Sequence, residues 1–468
     1  MYTAEGNDII DSTGERGGIY NTSTFNTAEG NDTISAGAAD RRGTYNGIYN
    51  TGTFNTAEGD DIITATTGFG GGVGIYNTGT FNTAEGDDII TATGKFGGID
   101  NSGKFNTADG NDEITGITSS YEGISIADGS IFDTGNGNDR IRGKSGIGTG
   151  IYNGSITFNT GDGDDTIEGT GYTSGIQNEG LINTGNGKDT IIANSPYSGR
   201  DLSNSSTIYT GDDDDIITTD NCIYNEGNID TGDGNDTITS TGLIYSGESG
   251  INTDGNGISN DGTINTGNGQ DSISSVGTIT NKGAVFLGDG NDSLTASIIP
   301  EVGLANRAIE NFNFIGTGDG NDTITTTGVI YNEGIINTGN GDDSIIVDGT
   351  GTGYGIYNNR GAINMGDGND SIIASEGFES AANSSGACFL GEGEDYIKGY
   401  GSGDFYGGKG NDTLELTPGT YTVGIWGESP IFTKGDRLMI ASEFEQLIAG
   451  GTIYDFSSLT AGQIIIVS

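Results

Sequence analysis

The chain has 468 residues, among them 89 Gly, 4 Pro, 66 Asp plus Glu and 17 Lys plus Arg, and no His. The lack of histidine excludes Ser/His/Asp and Cys/His nucleophile systems, HExxH proteases and His-ligated zinc or haem. A formal charge of −49 repels phosphate backbones and anionic lipid, so nucleic acid and membrane are not expected partners, whereas a hard cation is.

The first residues, MYTAEGNDII, carry neither the charged n-region nor the apolar h-region of a secretory signal, and no run reaches the ~18 apolar residues of a membrane span. Gly and Asp instead fall at fixed spacing between apolar residues, so repeats are read first. A nine-residue phrase recurs seventeen times, for example TAEGNDII at 3–10, TGDGDDTIE at 160–168, TGDGNDTIT at 231–239 and GGKGNDTLE at 407–415. Its sixth position is always Asp: Asp8, Asp32, Asp61, Asp88, Asp112, Asp139, Asp165, Asp189, Asp215, Asp236, Asp271, Asp292, Asp322, Asp343, Asp370, Asp395 and Asp412. The eighth is Ile or Leu, the fourth is Gly except at Asp213, and the second is Ala in the first five copies and Gly thereafter. Such restriction predicts a tight turn with positive φ.

Successive phrase aspartates lie 17 to 35 residues apart, the length of one solenoid coil. Between phrases runs a second column, GIYNT at 18–22, 47–51 and 74–78, then CIYNE at 222–226 and VIYNE at 329–333. A third reads TFNT at 24–27, 53–56 and 80–83, then LINT at 181–184. Apolar residues alternate there with Tyr, Asn and Thr, the pattern of a strand with one buried face, so each coil is expected to offer three short strands. Stacking coils at ~4.8 Å sets like on like. Ile10, Ile34, Ile63 and Ile90 then form one inward stack, and Phe25, Phe54, Phe81 and Phe105 a second that later turns to Ile. Asn21, Asn50, Asn77, Asn101, Asn153, Asn178, Asn225, Asn260, Asn281, Asn332 and Asn358 form an amide ladder at a turn. Tyr20, Tyr49, Tyr76, Tyr152, Tyr224, Tyr245, Tyr331 and Tyr357 form an exposed column, suited to cross-strand packing, lateral association or saccharide contact.

The phrase GGKGNDTLE matches the nonapeptide GGxGxDxUx, and DYIKGYGSGDFYGGKGNDTL at 395–414 reads as a short tandem run of it, with Asp404 a degenerate middle copy. In these residues the chain resembles the RTX family of calcium-binding β-roll proteins. The resemblance implies calcium between stacked turns, held by the seventeen sixth-position aspartates and by carbonyls of the Gly positions. Over 1–389 it is looser: Thr replaces the first Gly and one phrase occurs per coil, which implies a single calcium column. The expected fold is all-β, a right-handed parallel β-solenoid with one calcium-binding turn per coil and a small C-terminal cap. Its expected divisions are the repeat solenoid over 1–389, the nonapeptide run over 390–415 and the cap over 416–468.

Charge leads to the same cation without the resemblance. Positions three to six of the phrases hold 36 of the 66 acidic residues. Stacked at ~4.8 Å, like charges repel by ~1 kcal/mol per pair even in water, so the edge needs neutralising. Multiple Ca2+ ions, up to one per gap between turns, do so. Cys222 and Cys388 lie about seven coils apart in this scheme, some ~30 Å, beyond disulfide reach.

After residue 415 the phrase stops; the only Trp, Trp426, and the segment SEFEQLIAG at 442–450 suggest a cap over the last coil, with Trp426 and Phe444 as an apolar partner surface. The terminal QIIIVS after a short helix-like stretch resembles an RTX export signal, implying type I secretion. The expected function is a secreted, calcium-dependent structural protein of a bacterial cell surface, in a surface layer, sheath or filament, self-associating head to tail. A calcium-rigidified adhesin or ice- or ligand-binding segment is one alternative, for which Thr27, Thr56 and Thr83 start a Thr ladder. A polysaccharide-active β-helix enzyme is the other, and surface polysaccharide a candidate partner. No phrase is chemically singular, so a non-catalytic role is expected.

Overall fold

The computed structural model describes all residues except 15–16, 39–44, 69, 198, 243–255, 299–305, 350–352 and 381–385, and only the backbone of Asn256. Two compact units divide the chain, Met1–Thr253 and Asp254–Ser468. Secondary structure among the described residues is β-strand, apart from the 3-10 helix Phe456–Ser458.

Each coil of the first unit turns through three strands, as in Ile62–Thr67, Val73–Asn77 and Thr80–Asn82. Every strand pairs in parallel with its counterpart one coil on, without slippage: Ile63 lies opposite Ile90, Ile75 opposite Ile99 and Phe54 opposite Phe81. The unit is therefore a parallel β-solenoid, as the periodicity predicts. Alternation sorts the side chains, so Ile62 is 44% exposed while Ile63 beside it is 0% exposed. Phe25, Phe54, Phe81, Phe105 and Phe132 stack with ring centroids 4.5, 4.6, 4.7 and 4.9 Å apart. Those separations follow the strand spacing itself, since register alone forces ring onto ring. Phe158 then turns edge-on and Ile182, Ile208 and Ile229 continue the column.

The expected amide ladder is present and buried. Asn77 donates from Nδ2 to Asn101 Oδ1 at 2.8 Å and to the Lys104 carbonyl at 2.9 Å, while its Oδ1 accepts from Asn50 Nδ2 at 2.8 Å. Ile126 interrupts the run between Asn101 and Asn153. Asn204 and Asn311 join it although their strands read LSN and IEN rather than IYN. Outside, Tyr20, Tyr49 and Tyr76 stack with centroids 4.6 and 5.3 Å apart, and Tyr331 stacks on Tyr357 at 5.1 Å. Tyr245 lies outside the described residues.

The second unit repeats the parallel coil and closes with the cap. Its core column runs Ile336, Ile363, Cys388 and Phe405, so Cys388 fills an aliphatic place. Burial pushes its thiol up to about 12. Both Cys222 and Cys388 are buried thiols.

In the cap the 3-10 helix Phe456–Ser458 is the helical turn ahead of the terminal QIIIVS, and Gln446–Ala449 is a strand that pairs in parallel with Thr413–Leu416 and antiparallel with Thr452–Asp455. The alternating burial of QLIA, with Leu447 and Ala449 inside, explains why the strand wins. Gly419–Trp426, Ser429–Lys434 and Arg437–Ser442 form an antiparallel meander, whose last strand also pairs in parallel with Gly403–Gly410. Trp426 is 67% exposed, whereas Phe444 is buried against Phe456 with ring centroids 5.6 Å apart. Phe444 is therefore core and adds nothing to an outer surface.

Candidate metal centre

The turn phrase folds as its small residues require. Ala57 at the second position has φ 64° and Gly59 at the fourth has φ 142°. A Cβ at Gly59 would stand 2.4 Å from the Gly30 carbonyl oxygen, a clash with backbone that nothing can relieve. Asp213, the one exception at the fourth position, still takes φ 89°, a conformation that costs an L-residue ~1–2 kcal/mol. Identical turns thus stack backbone on backbone.

Within the first unit this stacking brings Asp8 through Asp236 into one column, and within the second Asp271 through Asp412 into another. All but Asp8 are buried, none more than 2% exposed. Within each unit every column aspartate but the last donates its amide to Oδ1 of the next, as Asp61 to Asp88 at 2.8 Å, Asp139 to Asp165 at 2.7 Å and Asp370 to Asp395 at 2.8 Å. Each aspartate carbonyl is used as well, accepting from the next coil, as Asp88 from Glu113 at 2.8 Å. The other carboxylate oxygen is different. From Asp8 to Asp215 and from Asp292 to Asp412, Oδ2 is buried and accepts no hydrogen bond.

Asp201 supplies the contrast within the same molecule. It too is fully buried, but Ser195 and Asn221 amides donate to its two oxygens at 2.7 and 2.6 Å and Asn221 Nδ2 donates to Oδ1 at 3.1 Å. A structural buried carboxylate in this chain has both oxygens satisfied, as burial demands. From Asp8 to Asp215 and from Asp292 to Asp412, the column has one oxygen left over per turn.

Burial makes those carboxylates hard to ionise. It lifts Asp88, Asp139 and Asp165 to about 8, and Asp61, Asp189, Asp215, Asp292 and Asp370 to about 7. Asp112, Asp343 and Asp395 rise to about 6. For Asp88 the Thr83 hydroxyl and the Asp61 amide pull the other way, while the charges of Asp112 and Asp61 add to the rise. These carboxylates therefore call for positive charge, a proton or a cation.

Oxygens of the backbone lie close enough to serve as further ligands. A Cβ at Gly290 would sit 1.3 Å from the Gly269 carbonyl oxygen and 3.2 Å from Asp292 Oδ1, and one at Gly234 would sit 2.1 Å from the Asp213 carbonyl and 3.0 Å from Asp236 Oδ1. These turns so pack a carbonyl of the preceding coil beside their own carboxylate. No group of three or more His, Cys, Asp or Glu side chains suited to a metal occurs among the described residues. The donor set is one carboxylate plus carbonyls per gap, all oxygen, and it fits a hard divalent cation and not a thiolate- or imidazole-seeking one.

Two sequence expectations change here. Thr27, Thr56 and Thr83 are 0% exposed, and Thr27 donates to the Thr56 carbonyl at 3.1 Å, so this Thr row lines the inside of the turn and meets no outside ligand. Asp404 does not join the column: it lies on the strand Gly403–Gly410 opposite Ala387 and Ile440, and the Asp395 amide goes directly to Asp412 Oδ1 at 2.9 Å. One residue was missed. Asp412 donates to Glu445 Oε2 at 2.8 Å, which makes Glu445 the next rung. The match of EQL at 445–447 to the DTL of the last phrase was the available signal.

No known family profile matches the chain, and no curated protein does. Among solved structures, a hyperactive, Ca2+-dependent, β-helical antifreeze protein from an Antarctic bacterium is similar over 78% of this chain and 83% of its own, with 18% sequence identity and a TM-score of 0.34.

Proposed function

We propose that this is a calcium-dependent structural solenoid of a bacterial cell surface, a subunit of a surface layer, sheath or extracellular filament, in which cations along the aspartate column hold successive coils together. The observation that carries the reading is the row of buried Oδ2 atoms that accept no hydrogen bond. In it, Oδ2 of each column aspartate is the side-chain ligand and the turn carbonyls complete the shell, in keeping with the resemblance of GGKGNDTLE to the RTX nonapeptide. Extracellular calcium modules bind at about 10⁻⁴ to 10⁻³ M, so the chain stays unfolded in the cytosol, leaves by a type I route and folds outside. Coil after coil of one chemistry suits a scaffold more than a catalyst. Head-to-tail self-association belongs to the same reading, and the Tyr20, Tyr49 and Tyr76 stack is its lateral or saccharide-facing surface.

Circular dichroism at neutral pH in chelator, followed by restoration of calcium, tests it. The expected result is loss and then recovery of the β spectrum, with several ions retained per chain after dialysis. A full β spectrum in chelator at neutral pH would falsify the proposal.

A further inference from the structure

We infer that the C-terminal cap builds a cation site of its own, closed by Glu445 over the last aspartate turn. The inference rests on the calcium reading of the column and adds to it a ligand that the repeated phrase does not contain. The strand Gln446–Ala449 lies on Thr413–Leu416 with Leu447 opposite Leu414, so the cap chain re-enters the stack in the register of one more coil. Residue 445 then falls where the phrase places its aspartate. Its side chain behaves accordingly, taking the Asp412 amide on Oε2 at 2.8 Å as each column Oδ1 takes the amide before it. The chain reaches that position by a shorter turn: Ser442 lies opposite Tyr406, so Glu443 and Phe444 span what residues 407–411 span in the phrase, Glu443 adopts φ 62°, and the amides of Glu445 and Gln446 both donate to the Asp412 carbonyl, at 3.1 and 2.9 Å.

What points to a ligand is the space between the two turns. Asp412 is 0% exposed and its Oδ2 accepts no hydrogen bond. A Cβ built on Gly407 would meet that Oδ2 at 2.9 Å and the Glu443 carbonyl oxygen at 2.0 Å, so the two oxygens lie within about 5 Å of each other. Two Ca–O distances of about 2.4 Å span such a gap. Gly at 407, where most phrases have Thr, is what lets the Glu443 carbonyl come this close. Glu445, exposed where the column aspartates are buried, supplies the second carboxylate from the solvent side. The cap is thereby tied to the repeats through a cation, and folds as part of the same calcium-dependent event.

Glu445→Gln tests this, because the amide oxygen still accepts from Asp412 while the charge is lost. Bound calcium is counted on the folded fraction after equilibrium dialysis, and Trp426, the only tryptophan and part of the cap, reports cap folding by fluorescence. The expected result is one ion fewer per chain and a calcium midpoint for the Trp426 signal raised by about tenfold, with the β spectrum of the repeats kept at saturating calcium. Asp436→Asn, at an exposed acid in the turn between Ser429–Lys434 and Arg437–Ser442, is expected to change neither. Should E445Q fail to form the cap at all, Glu445→Asp is the second variant, expected to regain the ion on a shorter arm. An unchanged ion count and midpoint in E445Q, or no recovery in E445D, overturns the terminal site and leaves the column reading standing. A parent chain that binds no calcium sinks both.

Discussion

Acid should be able to stand in for calcium. Burial raises the titration of Asp88, Asp139 and Asp165 from 3.8 to about 8 in the folded chain. Each pH unit of displacement is worth ~1.4 kcal/mol, so ionising one of these groups inside the fold costs up to ~6 kcal/mol more than in the unfolded chain. Half that figure over three aspartates is ~9 kcal/mol, as large as the whole stability of a typical domain. The sign follows from the raised folded-state value: the contribution is fully present below the unfolded value near 3.8 and is lost as pH rises through 6 to 8. In chelator the chain is therefore expected to show its β spectrum at about pH 5 and to lose it between about pH 6 and 8, whereas with calcium the spectrum persists through that window. Circular dichroism against pH, with and without chelator, reads both curves. A metal-free chain that keeps its β spectrum at pH 8, or that unfolds on acidification from pH 8 to 5, would refute the reasoning.

Asp139→Asn keeps an oxygen for the Asp112 amide, now 2.8 Å from Oδ1, but removes the charge. It should cost ~2 kcal/mol in calcium and stabilise by a similar amount in chelator at neutral pH, a reversal of sign that urea unfolding under the two conditions detects. Asn77→Ala removes the donor to Asn101 and Lys104 and the acceptor for Asn50 from a site with 0% exposure, and should cost ~3 kcal/mol or more by urea unfolding, with or without excess calcium.

A solenoid is close to one-dimensional, so a period in the chain becomes a column in space once parallel register is kept. That is why the Ile34 and Phe54 stacks, the Asn50 and Asn77 rungs and the whole aspartate row are legible in the amino-acid pattern by itself. Positive φ at Ala57 and Gly59 is legible for a similar reason, since only small residues tolerate such a turn. Three things needed the folded chain. The direction of a side chain at a corner depends on the backbone path, and so Thr27 and Thr56 proved to face inward. The strand at 446–449 depends on pairing with Thr413–Leu416, a partner thirty-three residues upstream of it. Finally, the unused Oδ2 and the capture of Asp412 by Glu445 are facts about neighbours in adjacent coils, and no local pattern specifies which donors a buried oxygen will lack.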